Sequence, residues 1–211
     1  MSRLFNRALL FCVAVAPGFA ATTLFQGVFA SDSQVALFNI TASTSETIAI
    51  QTYSYGGGTV NSTSIPAGGF APTAFLFDNL GNAPTLDTGN SSQVSQDPTT
   101  GNYDDLYFQD TLGPGTYTLA LAVYNNSPVD TSVADGFVED GNPGFTCQEA
   151  GTSGNFCDLT TVSGTSRTGN YAIAITGADS VTELGVPEPG SMLLLLAGGA
   201  LATLRRRSIA R

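Results

Sequence analysis

The residue types behind most enzymatic chemistry are missing. The 211-residue chain has no histidine and no tryptophan, and its seven basic residues are all arginine. Without histidine there is no Ser-His-Asp or Cys-His nucleophile, no HExxH zinc site and no imidazole base. Without lysine there is no Schiff base and no Walker phosphate loop, so Gly56-Gly57-Gly58 reads as a turn. Carboxylates, cysteines and tyrosines remain. Acids gather at Asp97, Asp104, Asp105 and Asp110, and again at Asp130, Asp135, Glu139 and Asp140. Calcium takes about six to eight oxygen ligands, which loop carboxylates, Asn side chains and carbonyls can supply. Asp78, Asp104 and Asp105 fall at expected strand ends and are the calcium candidates. No DxDxDG loop accompanies them, and Asp is also favoured in turns for local hydrogen bonding. Two carboxylates can run glycoside hydrolysis, but no pair here is set at a defined separation, so no catalytic residue is nominated. Tyr53, Tyr55, Tyr103 and Tyr107 are candidates for a carbohydrate-binding face, against the plainer alternative of core or ordinary surface.

Charge separates the ends from the middle. Arg3, Arg7, Arg205, Arg206, Arg207 and Arg211 lie at the termini. Between Ala21 and Val186 there are 16 acidic residues against Arg167 alone, a local balance of −15. Such a surface repels the phosphates of nucleic acid, which are bound through clustered Lys and Arg. Nucleic acid is excluded as a partner.

Residues 1–20 read as a secretory signal peptide. Arg3 and Arg7 form a positive start, Ala8 to Ala16 supply an apolar stretch, and Gly18 and Ala20 are the small residues before a cut at Ala21. Signal peptidase is the implied partner; a buried N-terminal helix is the alternative. Cys12 does not make a lipobox, because bulky Phe11 precedes it. After signal removal Cys147 and Cys157 are the remaining thiols of an exported chain, so a disulfide between them is expected. Their spacing is not CxxC, and two cysteines without histidine fall short of a zinc site.

At the other end, Val186-Pro187-Glu188-Pro189-Gly190 precedes the apolar run 191–204 and Arg205-Arg206-Arg207. Fourteen helical residues would span about 21 Å at ~1.5 Å per residue, short of the ~30 Å hydrocarbon core. A short transmembrane helix can still insert by thinning the bilayer. The arginine triplet then stays cytoplasmic and puts everything before Pro187 on the far side. This terminus resembles the PEP-CTERM sorting signal of Gram-negative bacteria. The resemblance implies recognition of Pro187, Glu188 and Pro189 by a membrane-embedded exosortase, with the membrane engaged transiently through 191–204. It further implies processing and release to the cell surface or extracellular matrix, typically beside exopolysaccharide. A plain membrane anchor is the alternative.

The middle alternates with period two. Residues 35–40, 47–55, 74–78, 105–109, 116–124 and 171–176 each read as strands with one buried face, Phe75 and Phe77 among the core positions. Gly-, Pro-, Asn- and Asp-rich turns separate them, and no stretch shows a convincing helical period. The expected fold is all-β: an antiparallel β-sandwich, jelly-roll-like, over residues 21–185. It is flanked by the signal peptide and by the sorting signal, 186–211. The order of a hydrophobic strand, Phe75-Leu76-Phe77-Asp78-Asn79-Leu80-Gly81 and Gly115-Thr116-Tyr117-Thr118-Leu119 resembles the pre-peptidase C-terminal type of bacterial β-sandwich module over 33–124. That resemblance implies an accessory, non-catalytic role. Residues 125–170 have no counterpart in it and read as an inter-strand insertion carrying the disulfide. The expected function is that of an exported, non-catalytic surface or matrix protein, the alternative being a calcium- or carbohydrate-binding adhesion module.

Overall fold

The structure, a computed structural model, describes residues 21–78, 85–86, 92–160 and 164–184. The signal-peptide segment 1–20 lies outside the described residues, as do Pro187, Glu188 and Pro189, the segment 191–204, and Arg205, Arg206 and Arg207. Among the described residues no helix is long and apolar enough to cross a membrane.

The strands run β1 (Thr22–Val28), β2 (Ala36–Ala42), β3 (Glu46–Thr52), β4 (Gly58–Val60), β5 (Thr63–Ile65) and β6 (Pro72–Phe77) in the first half. They continue with β7 (Thr85–Leu86), β8 (Tyr107–Leu112), β9 (Gly115–Val123), β10 (Asn170–Thr176) and β11 (Ser180–Glu183), with a short helix α1 (Phe145–Glu149) between the ninth and tenth. One sheet has the order β1-β10-β3-β8, the other β11-β2-β9-β6-β7, and β4 and β5 form a separate hairpin. All of these strand pairs are antiparallel. The expected β-sandwich is what the chain builds.

Alternation explains the core. Ile48, Ile50, Ile173 and Ile175 of the first sheet meet Phe38, Ile40, Leu119 and Leu121 of the second in one buried cluster. Burying each such side chain contributes roughly 1.5–3 kcal/mol relative to exposure. The aromatic rings carry that core sideways: Tyr171 lies 4.9 Å from Phe29, Phe29 5.1 Å from Phe70, and Phe70 5.9 Å from Phe156.

The two sheets are covered on their outer faces as well, which single-face alternation does not anticipate. Ala74 and Leu76 of β6 fill the inter-sheet core. Phe75 and Phe77 instead point outward, where they join Val35, Leu37, Ala120, Ala122 and Phe137. Phe137 belongs to the connection from β9 to β10 and lies 6.4 Å from Phe75, so that connection roofs the second sheet. On the first sheet, Ala172 and Ala174 pack under Val60 and Ile65 of the β4–β5 hairpin. The small outward alanines leave room for these covers.

The segment between β9 and β10 also packs onto the rest of the fold. Asp32, fully buried in the β1–β2 connection, accepts hydrogen bonds from Gly144 N (2.5 Å), Thr146 N (3.0 Å) and Thr146 Oγ1 (2.6 Å). It thereby satisfies donors at the start of α1, which Gly144 has no side chain to cap. Cys147 of α1 is disulfide-bonded to Cys157, as the cysteine count leads one to expect. A helix of five residues is too short to show a period in the sequence.

The β4–β5 turn is tighter than its residues favour. Asn61 and Ser62 both have positive φ, 47° and 67°, the backbone of a two-residue hairpin turn that prefers Asn-Gly. Ser62 is exposed and carries the left-handed penalty of about 1–2 kcal/mol, against roughly 0.5–1 kcal/mol for the extra backbone entropy of glycine. Ser62→Gly is expected to stabilise the domain by about 0.5–1 kcal/mol, read as a higher urea midpoint with unchanged slope; a lower midpoint would contradict this reading of the turn.

Candidate functional site

The one cation between Ala21 and Val186 is buried. Arg167 follows the disulfide segment and precedes β10, and its guanidinium is directed inward onto three partners. Its Nη2 meets Asp97 Oδ2 at 2.9 Å, in an ion pair whose side chains are 3% and 1% exposed. The same nitrogen donates to the Tyr55 carbonyl at 3.0 Å, and Nε donates to the Gly69 carbonyl at 2.8 Å. The guanidinium carbon sits 3.9 Å over the Tyr55 ring. Asp97 Oδ1 accepts from Thr99 N, Thr100 N and Thr100 Oγ1. Burial works to raise the Asp97 carboxyl, but the Arg167 contact and these backbone donors outweigh it and hold the group below its ordinary value.

Tyr55 is fully buried, which removes it from any carbohydrate face. Its hydroxyl donates to Asp158 Oδ2 at 2.5 Å and lies 2.8 Å from Thr100 Oγ1. Burial, and then the Asp158 bond, push that hydroxyl up to about 12. It is a structural pin.

Asp105 does not present an open loop carboxylate. It is 1% exposed, and Oδ1 accepts from Thr52 Oγ1, Ser54 N and Tyr55 N while Oδ2 accepts from Gly56 N. Burial raises its carboxyl, and the four donated bonds oppose that rise. The reason lies in the chain path: β3 ends at Thr52, and Asp105 gathers the amides of the turn that follows. Asp104 is half-buried and accepts from Thr160 Oγ1 at 2.5 Å; that hydroxyl also lies 2.6 Å from Asp158 Oδ1. Asp78 is half-buried at the end of β6. Among the described residues no group of three or more His, Cys, Asp or Glu is placed to hold a metal ion, so Asp78, Asp104 and Asp105 do not form such a cluster.

The remaining tyrosines part company. Tyr103 is 45% exposed, and the half-buried Tyr107 donates to Gln109 Oε1 at 3.1 Å. Tyr53 lines an open groove of about 320 Å³ between the end of β1 and the β4–β5 hairpin. Val28, 69% exposed, and Pro66 supply its apolar wall, while Gln26 and Asn170 supply amides. The lining carries no charged residue, which sets it apart in a domain otherwise dominated by carboxylates. Close approach matters here: a Cβ on Gly27 would fall 2.4 Å from the Tyr171 ring, so glycine lets that ring lie across β1.

Sequence reasoning missed Arg167 as the centre of a buried network, although its isolation among sixteen acids was a usable signal. It missed the groove because Gln26, Val28, Tyr53 and Asn170 are far apart in the chain and meet only through strand pairing.

Comparison with known families identifies a PEP-CTERM protein-sorting motif at residues 185–208. The motif covers the Pro-Glu-Pro segment and the arginine triplet read from the sequence, and it marks the chain for exosortase processing and export to the cell envelope or surface. No curated protein matches the chain.

Removing Arg167 leaves Asp97 as a buried charge without its partner. Arg167→Met is expected to cost about 3–5 kcal/mol in equilibrium urea unfolding, with Arg167→Met/Asp97→Asn recovering part of that loss. Because the native Asp97 carboxyl is held below its ordinary 3.8, its contribution is fully present above that value and is lost as pH falls through the native pKa. The stability gap between the native chain and Asp97→Asn should therefore close on acidification; a gap constant down to strong acid would contradict the pairing.

Proposed function

We propose that the chain is an exported, non-catalytic surface or matrix protein that associates with exopolysaccharide through the groove beside Tyr53. The sorting motif at 185–208 carries the first half of this reading, since it commits the chain to the cell envelope or surface. Signal peptidase, cutting before Ala21, is the partner at the other end. The absence of histidine and lysine from the sequence supports a role without turnover.

The groove supports the second half. A neutral polysaccharide offers hydroxyls for amide side chains and an apolar ring face for aromatic and aliphatic walls. Tyr53, Gln26 and Asn170 provide those groups. A net balance of −15 between Ala21 and Val186 opposes an acidic polymer at long range. The volume is at the low end of small-ligand clefts, roughly 300 Å³ and upward, suited to a short stretch of glycan.

The test is retention of the mature protein on exopolysaccharide from its own host. The native protein should be retained. Gln26→Ala, an exposed substitution, and Tyr53→Ala should each weaken binding about tenfold, equivalent to about 1.4 kcal/mol, while Tyr103→Ala should leave it unchanged. Equal retention of all variants would remove the groove assignment. No retention of the native protein would remove the association itself.

A further inference from the structure

The described residues end at Leu184, immediately before the sorting motif. Leu184 N donates to the Leu37 carbonyl at 2.8 Å, and the motif starts at residue 185. Ahead of Leu184, β11 is an edge strand paired with β2 from Ser180↔Thr41 to Glu183↔Phe38. Two side-chain bonds hold it: Tyr171 Oη donates to Glu183 Oε1 at 2.6 Å, and Ser43 N donates to Asp179 Oδ2 at 2.5 Å.

Chain geometry then sets a clearance. Three residues lead from Leu184 to Pro187, a reach of about 10 Å at ~3.3–3.6 Å per residue. An enzyme that grips an extended peptide from both sides must place its own backbone between that peptide and the substrate's domain. A single helix with its side chains is already about 10–12 Å across. Reach and wall thickness are equal, so the folded domain leaves no room. Freeing β11 back to Gly177 puts ten residues before Pro187 and extends the reach to about 33 Å.

β11 is built to leave cheaply. Of its four residues only Val181 is half-buried, the other three being exposed, so its release gives up strand pairing, the Tyr171–Glu183 and Ser43–Asp179 bonds, and little core. Its pivot is Gly177, with φ +97°, where a Cβ would fall 2.2 Å from the Thr47 carbonyl oxygen. We propose that β11 is a releasable strand, and that the sorting enzyme processes the folded chain only when β11 has left the edge of β2. The proposal rests on the motif being processed.

Asn39 and Thr182 are register partners on β2 and β11. Asn39→Cys/Thr182→Cys in the full chain would clamp the two strands by a disulfide, verified by intact mass before and after reduction and by retained cooperative unfolding. In pulse-chase in the host carrying its sorting enzyme, the wild-type precursor should mature, and the clamped chain should mature about tenfold more slowly or worse. A flexible Gly-Ser spacer between Leu184 and Gly185 should restore maturation to the clamped chain, which a folding or export defect would not permit. Maturation of the clamped chain at the wild-type rate overturns the proposal, as does failure of the spacer to restore it. A wild-type chain that never matures overturns the processing reading, and the proposal with it.

Discussion

One guanidinium joins the parts of this domain that its strands leave separate. Arg167 binds the Asp97 carboxylate, the Tyr55 and Gly69 carbonyls and the Tyr55 ring face. Those groups come from the turn after β3, the loop before β6 and the loop before β8, and Arg167 ties them to the segment before β10. Sheet pairing alone does not fix how such loops meet. A planar guanidinium does, because its Nε and Nη2 donors reach their three acceptors in fixed directions. Such a pair contributes less to net stability than its distance suggests, since both charges had to leave water. Its weight lies in the penalty for half of it, which ties the loops to one arrangement.

Around that node the domain solves the same problem three times. Asp105 collects the amides of the turn after β3, Asp32 collects those at the start of α1, and Asp97 collects those of Thr99 and Thr100. Each is a buried carboxylate surrounded by backbone donors that would otherwise be unsatisfied. Part of the acidity that looks like a surface property in the composition is thus internal scaffolding.

This bears on what was legible in the amino-acid sequence. The six alternating runs became β2, β3, β6, β8, β9 and β10, shifted by up to three residues at their ends, because two packed sheets reward period two directly. The edge strand β1 and the short β4, β5, β7 and β11 carry too few alternations to stand out. Phe75 and Phe77 alternate correctly but face the outer layer, a choice made by Phe137 from a distant segment. Asp105 and Tyr55 looked like surface candidates because nothing local reveals that the chain will fold over them. The disulfide and the terminal motif were legible, the first from cysteine count and compartment, the second from a contiguous string.

The domain and its address are physically continuous, since the last ladder bond at Leu184 abuts a motif that begins at residue 185. That motif marks an acidic sandwich for the cell envelope or surface. Intact mass and fractionation of the protein from its host, with and without the sorting enzyme, tests it most directly. The expected result is an extracellular chain that begins at Ala21 and lacks Arg205, Arg206 and Arg207, with the tail retained only when the enzyme is absent. A chain that keeps its arginine tail in the membrane fraction of both strains would contradict it, and would make 191–204 a permanent anchor.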